Sequence, residues 1–263
     1  MIKQPHELVL MAESGRLLAS VFEALNQLSL EGMSTLQVND WVERFIVDRL
    51  QARPASKGQY GFAYVLNSSI DTVVCHGVPS SKDILRNGSI VNLDITLEKN
   101  GYIADSSRMY LIGEVSHQAK RLVRVTNEAM WKGIATVRPG ATLGDIGFAI
   151  NRHAKDAGYS VVKEYCGHGI GREMHEEPQV LHYGHRGAGL ELQAGMTFTI
   201  EPMINQGRAA IDNHDDGWTV TTRDGKLSAQ CEHTVEVTET GVRVLTLRDE
   251  ERAIAQKLLG AVA

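Results

Sequence analysis

Two histidines stand seven residues apart in Gly167-His168-Gly169-Ile170-Gly171-Arg172-Glu173-Met174-His175, among three glycines. Imidazoles in such a setting can be hydrogen-bonded spacers, part of a phosphate cradle, or metal ligands. The Gly-x-Gly-x-Gly stretch lacks the strand-to-helix setting of a dinucleotide fingerprint. A third imidazole, His76, follows Cys75 in Cys-His-Gly. Neighbouring side chains on a strand point to opposite faces, which argues against a cysteine–histidine nucleophile there.

Four acids lie in β-rich, apolar surroundings. Asp94 sits inside Ile90-Val91-Asn92-Leu93-Asp94-Ile95, and Asp105 lies beyond Asn100-Gly101. A two-residue hairpin turn at Asn100-Gly101 sets Asp94 opposite Ser107 and makes Asp105 its diagonal neighbour on the same face. Glu201 ends Phe198-Thr199-Ile200, and Glu232 lies between Cys231 and His233. Acids so placed need a partner, because burying an unpaired charge is costly. One alone is more often a structural ion pair than a ligand. Four, together with His168, offer oxygen and nitrogen donors whose charge two divalent cations would balance. That donor set suits Mn, Fe, Co or Zn rather than a thiolate site. A pair of such metals lies about 3–4 Å apart and shares a bridging water made acidic by both.

The elements that must carry these residues run in the same order twice. Leu8 to Leu25 has helical spacing, and a second helix over Leu36–Leu50 is capped by Thr35 and ended by Arg53-Pro54. Tyr60 to Cys75 is β-rich, with a turn expected near Asn67-Ser68-Ser69. Strands follow over Ser89–Thr96 and Ile103–Ile112. The second half repeats the order: a helix from Gln118 to Val137, a break at Arg138-Pro139-Gly140, a helix from Leu143 to Ala157 capped by Thr142, then strands to Leu247. Thr35-Leu36 and Thr142-Leu143 are separated by the same interval as Gly88 and Gly195, and as Asp94 and Glu201. An internal duplication accounts for these matches and predicts an α+β layout: two helix–helix–sheet halves, about 1–112 and 113–250, in one domain over 1–263.

Composition limits the alternatives. The chain has 263 residues, 43% hydrophobic, enough for a sizeable core. A net charge of −5 argues against a nucleic-acid footprint. No segment has the apolar length of a membrane span or the pattern of a signal peptide. Three cysteines, Cys75, Cys166 and Cys231, in a chain of this size read as reduced thiols in a cytoplasm.

Taken together, Cys75-His76-Gly77-Val78-Pro79, Val91-Asn92-Leu93-Asp94-Ile95-Thr96, Ala104-Asp105-Ser106-Ser107, Gly167-His168-Gly169-Ile170-Gly171, His175-Glu176-Glu177-Pro178, Thr199-Ile200-Glu201-Pro202 and Ser228-Ala229-Gln230-Cys231-Glu232-His233-Thr234 resemble type I methionine aminopeptidase in its short bacterial form. The likeness runs through nearly the whole chain in the family's order. It implies the pseudo-twofold pita-bread fold, with halves around a central antiparallel sheet. It implies Asp94, Asp105, His168, Glu201 and Glu232 as ligands of two divalent metals, with Asp105 and Glu232 bridging. Glu201 is then also the general base, His175 the partner of the substrate carbonyl, and His76 the partner of the amide nitrogen. The implied substrates are N-terminal peptides of nascent proteins, met at the ribosome by a monomer.

The pocket departs from the family. Ser56, Gln59, Phe62 and Asn67 stand where cysteines and tyrosines are usual, and Met174 stands where a phenylalanine is usual. Trp218 is retained, and Phe62, Met174 and Trp218 can still form an apolar slot for a thioether. Asp71, Val73 and Ser228 fall near a monovalent-cation loop of relatives, with Asp71 in place of the usual asparagine. The rival readings are a Xaa-Pro aminopeptidase or prolidase, disfavoured by the Cys-His-Gly-Val-Pro setting, and a non-catalytic binding relative, disfavoured by the complete ligand set.

Overall fold

The structure is a computed structural model that describes residues 1–260. At its centre is the hairpin of Ile90–Lys99 and Tyr102–Leu111, paired without a break from Ile90 opposite Leu111 to Lys99 opposite Tyr102. Asn100 and Gly101 both adopt left-handed backbone, φ 54° and 80°, which matches the twist of a two-residue hairpin. The register sets Asp94 against Ser107 and Thr96 against Asp105, so the two aspartates are diagonal neighbours.

This hairpin belongs to a nine-stranded sheet. Leu66–Ile70 and the short Arg53–Pro54 strand pair with Ile90–Lys99. On the other side, Glu232–Val237 joins Tyr102–Leu111, with Glu232 opposite Ser107 and His233 opposite Ser106. The sheet continues through Thr197–Ile200 and Gly167–Gly169 to Glu176–Val180, and every pairing is antiparallel. The Tyr102–Leu111/Glu232–Val237 junction therefore brings acids from distant parts of the chain side by side.

Helices cover the sheet in two groups. Pro5–Leu25 and Thr35–Arg44 bury Leu18, Val21, Phe22, Val38 and Val42 against Val91, Leu93, Ile95 and Leu97. His117–Ile134 and Leu143–Asp156 bury Leu122, Met130, Trp131, Ile146 and Ile150 against Phe198, Ile200 and Val235. Each such side chain contributes about 1.5–3 kcal/mol by leaving water, so the sheet beneath the site is held from the helix side.

The second helix is capped by Ser34, not Thr35: Ser34 Oγ accepts from the Gln37 amide at 3.2 Å, and Gln37 returns a bond to the Ser34 amide. Thr142 caps Leu143–Asp156 as expected, with Asp145 closing the box. The matching helices are thus offset by one residue more than Gly88 and Gly195. Asn67-Ser68-Ser69 is strand rather than turn, because each pairs across to Asn92-Leu93-Asp94. The reversal comes at Asp71, left-handed at φ 51°, whose carboxylate accepts from the Ile90 amide and the Ser89 hydroxyl. A closing helix, Arg252–Leu259, lies beyond the elements read from the sequence. Among the described residues no helix is long and apolar enough to cross a membrane.

Candidate active site

A cavity of about 560 Å³ opens at the sheet, lined by Asp94, Asp105, His168, Glu201 and Glu232. His76, His175 and the pocket residues Ser56, Gln59, Phe62, Asn67, Met174 and Trp218 line it too, so every site residue expected from the sequence meets there. One ligand atom from each of Asp105, His168 and Glu232 lies within 4.8 Å of the others. His168 Nε2 is 3.9 Å from Asp105 Oδ2 and 3.5 Å from Glu201 Oε1. Asp94 is the diagonal neighbour of Asp105 across the hairpin and lines the same cavity.

The glycines on either side of His168 form no turn. Gly167 and Gly169 lie in a strand, with ordinary extended backbone. A Cβ on Gly167 would fall 2.3 Å from Thr199 O, and one on Gly169 2.1 Å from Glu177 O. The absent side chains let the strand slot between its two neighbours and deliver His168 to the acids. There Nδ1 of His168 is 3.0 Å from Gly169 O. That carbonyl can only accept, so the proton is on Nδ1 and the Nε2 lone pair is left for the cavity.

The electrostatics of this group are unusual. Among the described residues no lysine or arginine forms an ion pair with Asp94, Asp105, Glu201 or Glu232; the one basic side chain within 4 Å is His168, beside Asp105 and Glu201. Burial pushes the Asp94 carboxyl up to about 7. Burial first, and then the charge of the neighbouring acids, pushes Asp105, Glu201 and Glu232 well above the usual carboxylate range. Burial and then His175 push His168 down to about 4, so its ring is neutral, the form that ligates metals. Asp105 Oδ1 and both oxygens of Glu232 are buried without a hydrogen-bond donor. Orphaned carboxyl oxygens beside a free imidazole lone pair fit divalent cations and fit no other partner present.

Glu201 is held from three sides. Thr199 Oγ1 donates to Oε1 at 2.9 Å, Gln230 Nε2 donates to Oε2 at 3.3 Å, and the Glu201 amide donates to His182 Nε2 at 3.1 Å. Thr199 and Gln230 each lie two residues before an expected ligand, but Thr199 sits in Thr197–Ile200, just before Glu201, while Gln230 closes Ser228–Gln230 in a separate sheet from Glu232. His182 stands near no expected ligand in sequence.

His76 is not a strand residue. It follows Val73–Cys75 in left-handed backbone, φ 55°, and its ring meets the Tyr165 ring edge-on at 5.3 Å. The opposite-faces argument therefore does not apply to Cys75 and His76; Cys75 is instead buried, its thiol pushed well up by burial. His175 lies edge-on to His168, ring centres 4.4 Å apart. In the pocket, Phe62 packs edge-on against Trp218 at 4.9 Å, and Ser56 bonds Thr96 through their hydroxyls at 2.5 Å. Met174 both lines the cavity and packs with Met11, Tyr102 and Ile170. Tyr60, Tyr165 and Met203 also line the cavity and were not singled out by sequence.

Residues 9–239 match metallopeptidase family M24. Methionine aminopeptidase B of Synechocystis sp. is 48% identical over 92% of this chain and 89% of its own length. Methionine aminopeptidase of Escherichia coli (strain K12) is 44% identical over 95% of each. The crystal structure of methionine aminopeptidase from Rickettsia prowazekii superposes with a TM-score of 0.92 at 46% identity, covering 94% of this chain and 99% of that one. A prolidase from Pyrococcus horikoshii shares the fold at a TM-score of 0.73 and 22% identity, with 94% of this chain and 64% of that one covered. The curled antiparallel sheet with its two pairs of helices is thus the pita-bread fold. Four carboxyls and an imidazole converging on one cavity, in a chain this similar throughout, place it in metallopeptidase family M24, among the methionine aminopeptidases of type I.

Proposed function

We propose that this chain removes N-terminal methionine from peptides and nascent proteins, using two divalent metals held by Asp94, Asp105, His168, Glu201 and Glu232. The observation that carries the reading is the set of four carboxyls, Asp105, Glu201 and Glu232 buried and Asp94 half-buried, with no lysine or arginine paired to them and with three orphaned oxygens. When bound, the metals supply Lewis acidity toward the scissile carbonyl and lower the pKa of water toward neutral.

The remaining work falls to side chains. Glu201 takes the proton of the attacking water, its carboxylate fixed by Thr199 and Gln230. His175 donates to the substrate carbonyl and steadies the charge that develops there. His76, which lines the same cavity, bonds the amide nitrogen that leaves. The free α-amine lies against Asp94, which restricts attack to a chain terminus. Phe62, Met174 and Trp218 receive the thioether, while Ser56, Gln59 and Asn67 make this slot more polar than an all-aromatic one. The working location is the cytoplasm, beside the ribosome, and the working form is a monomer.

Parallel cleavage assays of Met-Ala-Ser, Leu-Ala-Ser and Ala-Pro-Ser with Mn(II)-loaded protein test this reading. Cleavage confined to Met-Ala-Ser supports it. Cleavage of Ala-Pro-Ser alone assigns the site to a Xaa-Pro peptidase, and cleavage of none assigns the fold to binding.

A further inference from the structure

Tyr60 is the most solvent-exposed large hydrophobic side chain in the cavity wall, at 73%, and its backbone is left-handed at φ 49°. A bulky aromatic pays for that conformation, so something must hold it there. The loop is built to do so. Gly58 and Gly61 on either side are also left-handed, at φ 91° and 86°, and the Gly58 amide closes the loop on Phe62 O at 2.7 Å. One end is pinned by the Ser56–Thr96 hydroxyl bond and the other by Phe62 against Trp218. Tyr60 is the tip between these anchors.

The tip meets one partner. The Tyr60 ring lies nearly parallel to that of His175, 12° apart with centres at 5.7 Å, and its hydroxyl is 3.3 Å from His175 Nδ1. Among the described residues this is the side-chain hydrogen bond to the His175 ring. His175 itself leans edge-on against His168. Tyr60 therefore braces the imidazole from the solvent side, and His168 borders it from within.

We propose that Tyr60 is a positioning residue for the reaction: its hydroxyl donates to Nδ1 of His175, keeps the ring proton on Nε2, and so makes Nε2–H the donor offered to the substrate carbonyl. In a neutral imidazole one nitrogen donates and the other accepts, so the bond made at one end sets the chemistry of the other. Without the phenol, both tautomers are open, and in one of them Nε2 presents a lone pair to the carbonyl oxygen. The inference rests on the aminopeptidase reading for the role of His175; the Tyr60–His175 bond itself does not.

The test has two independent arms. In protein labelled with 15N-histidine and loaded with diamagnetic Zn(II), the His175 nitrogens, assigned by their loss in His175→Gln, report the tautomer directly. The expected spectrum has Nδ1 unprotonated and Nε2 protonated, and in Tyr60→Phe the two nitrogens move toward each other. In steady-state cleavage of Met-Ala-Ser by the Mn(II)-loaded enzyme, Tyr60→Phe keeps the ring and loses the hydroxyl. Its kcat falls about tenfold, as for loss of one hydrogen bond, with KM within twofold. Unchanged His175 shifts in Tyr60→Phe, or a wild-type spectrum with the proton on Nδ1, would overturn the proposal, as would an unchanged kcat. A wild-type enzyme inactive on Met-Ala-Ser but with the expected Tyr60-dependent shifts would instead overturn the substrate reading and leave the tautomer bond standing.

Discussion

Nε2 of His168 stands 3.5 Å from Oε1 of Glu201, and Thr199 holds the two in place. The His168 amide donates to Thr199 Oγ1 at 3.0 Å, and that hydroxyl donates onward to Glu201 Oε1 at 2.9 Å. Thr199→Val keeps the shape and removes the link. Supporting bonds of this kind are worth about 10–100-fold in activity or metal affinity. We expect kcat on Met-Ala-Ser to fall within that range while the fold is kept, measured by steady-state kinetics beside far-UV circular dichroism.

Metal removal should weaken the fold as well as stop turnover. The four acids share one cavity and repel one another when ionised. A cation that binds the folded chain at 100 times its dissociation constant adds about 2.7 kcal/mol of stability. In a chain of this size that corresponds to a rise of roughly 5–10 °C in Tm. Thermal melts with EDTA and with Mn(II) check it; equal Tm values under both conditions contradict it.

Gly169 has no room for a side chain, since a Cβ would lie 2.1 Å from the backbone oxygen of Glu177. Gly169→Ala must push apart the Gly167–Gly169 and Glu176–Val180 strands. Overpacking costs about 1–3 kcal/mol, and the shift moves His168 away from Asp105 and Glu201. Metal content after reloading and urea midpoint should both drop. Gly158→Ala, at a left-handed turn with open space around it, should lower stability without lowering metal content.

Behind the acids lies a separate buried network. Ser106 and His233 alternate with Asp105 and Glu232 along their strands and so face the other way. Arg248 donates to Glu251 at 2.7 Å and to Ser106 at 3.2 Å, and His233 Nε2 is 3.2 Å from Glu251. Burial raises the Glu251 carboxyl, but His233 and Arg248 outweigh it and hold the group well below the usual carboxylate range. Its stabilisation is therefore complete above about pH 4.3, the unfolded value, and is lost as pH falls below that. Glu251→Gln should cost about 3 kcal/mol at pH 7 by leaving Arg248 buried with less charge opposite it. Urea unfolding at pH 7 and pH 3.5 should show the gap between variant and wild type narrowing in acid.

Parts of this arrangement are written locally and parts are not. The Asn100-Gly101 turn fixes the hairpin register by itself, so the diagonal Asp94–Asp105 pair follows from a dipeptide and a period of two. Glu201 and Glu232 follow because apolar strands seldom carry acids without cause. The second helix cap moved from Thr35 to Ser34 because two adjacent hydroxyls are equivalent until Gln37 chooses one. The glycines around His168 look like a turn in sequence, since only the flanking Thr199 and Glu177 carbonyls reveal that space is the constraint. Tyr60 and His182 act across the fold, on His175 and Glu201, from positions whose neighbours in sequence carry no hint of the partner.

The most direct test is a metal titration of stripped protein, followed by isothermal calorimetry and by cleavage of Met-Ala-Ser at each step. No turnover is expected in the stripped enzyme, with activity restored by Mn(II) and two ions bound per chain at saturation. Replacing Asp105 with asparagine should abolish the second binding event. Turnover that survives stripping, or a wild-type chain that binds no divalent cation, would contradict a metal centre at these five side chains.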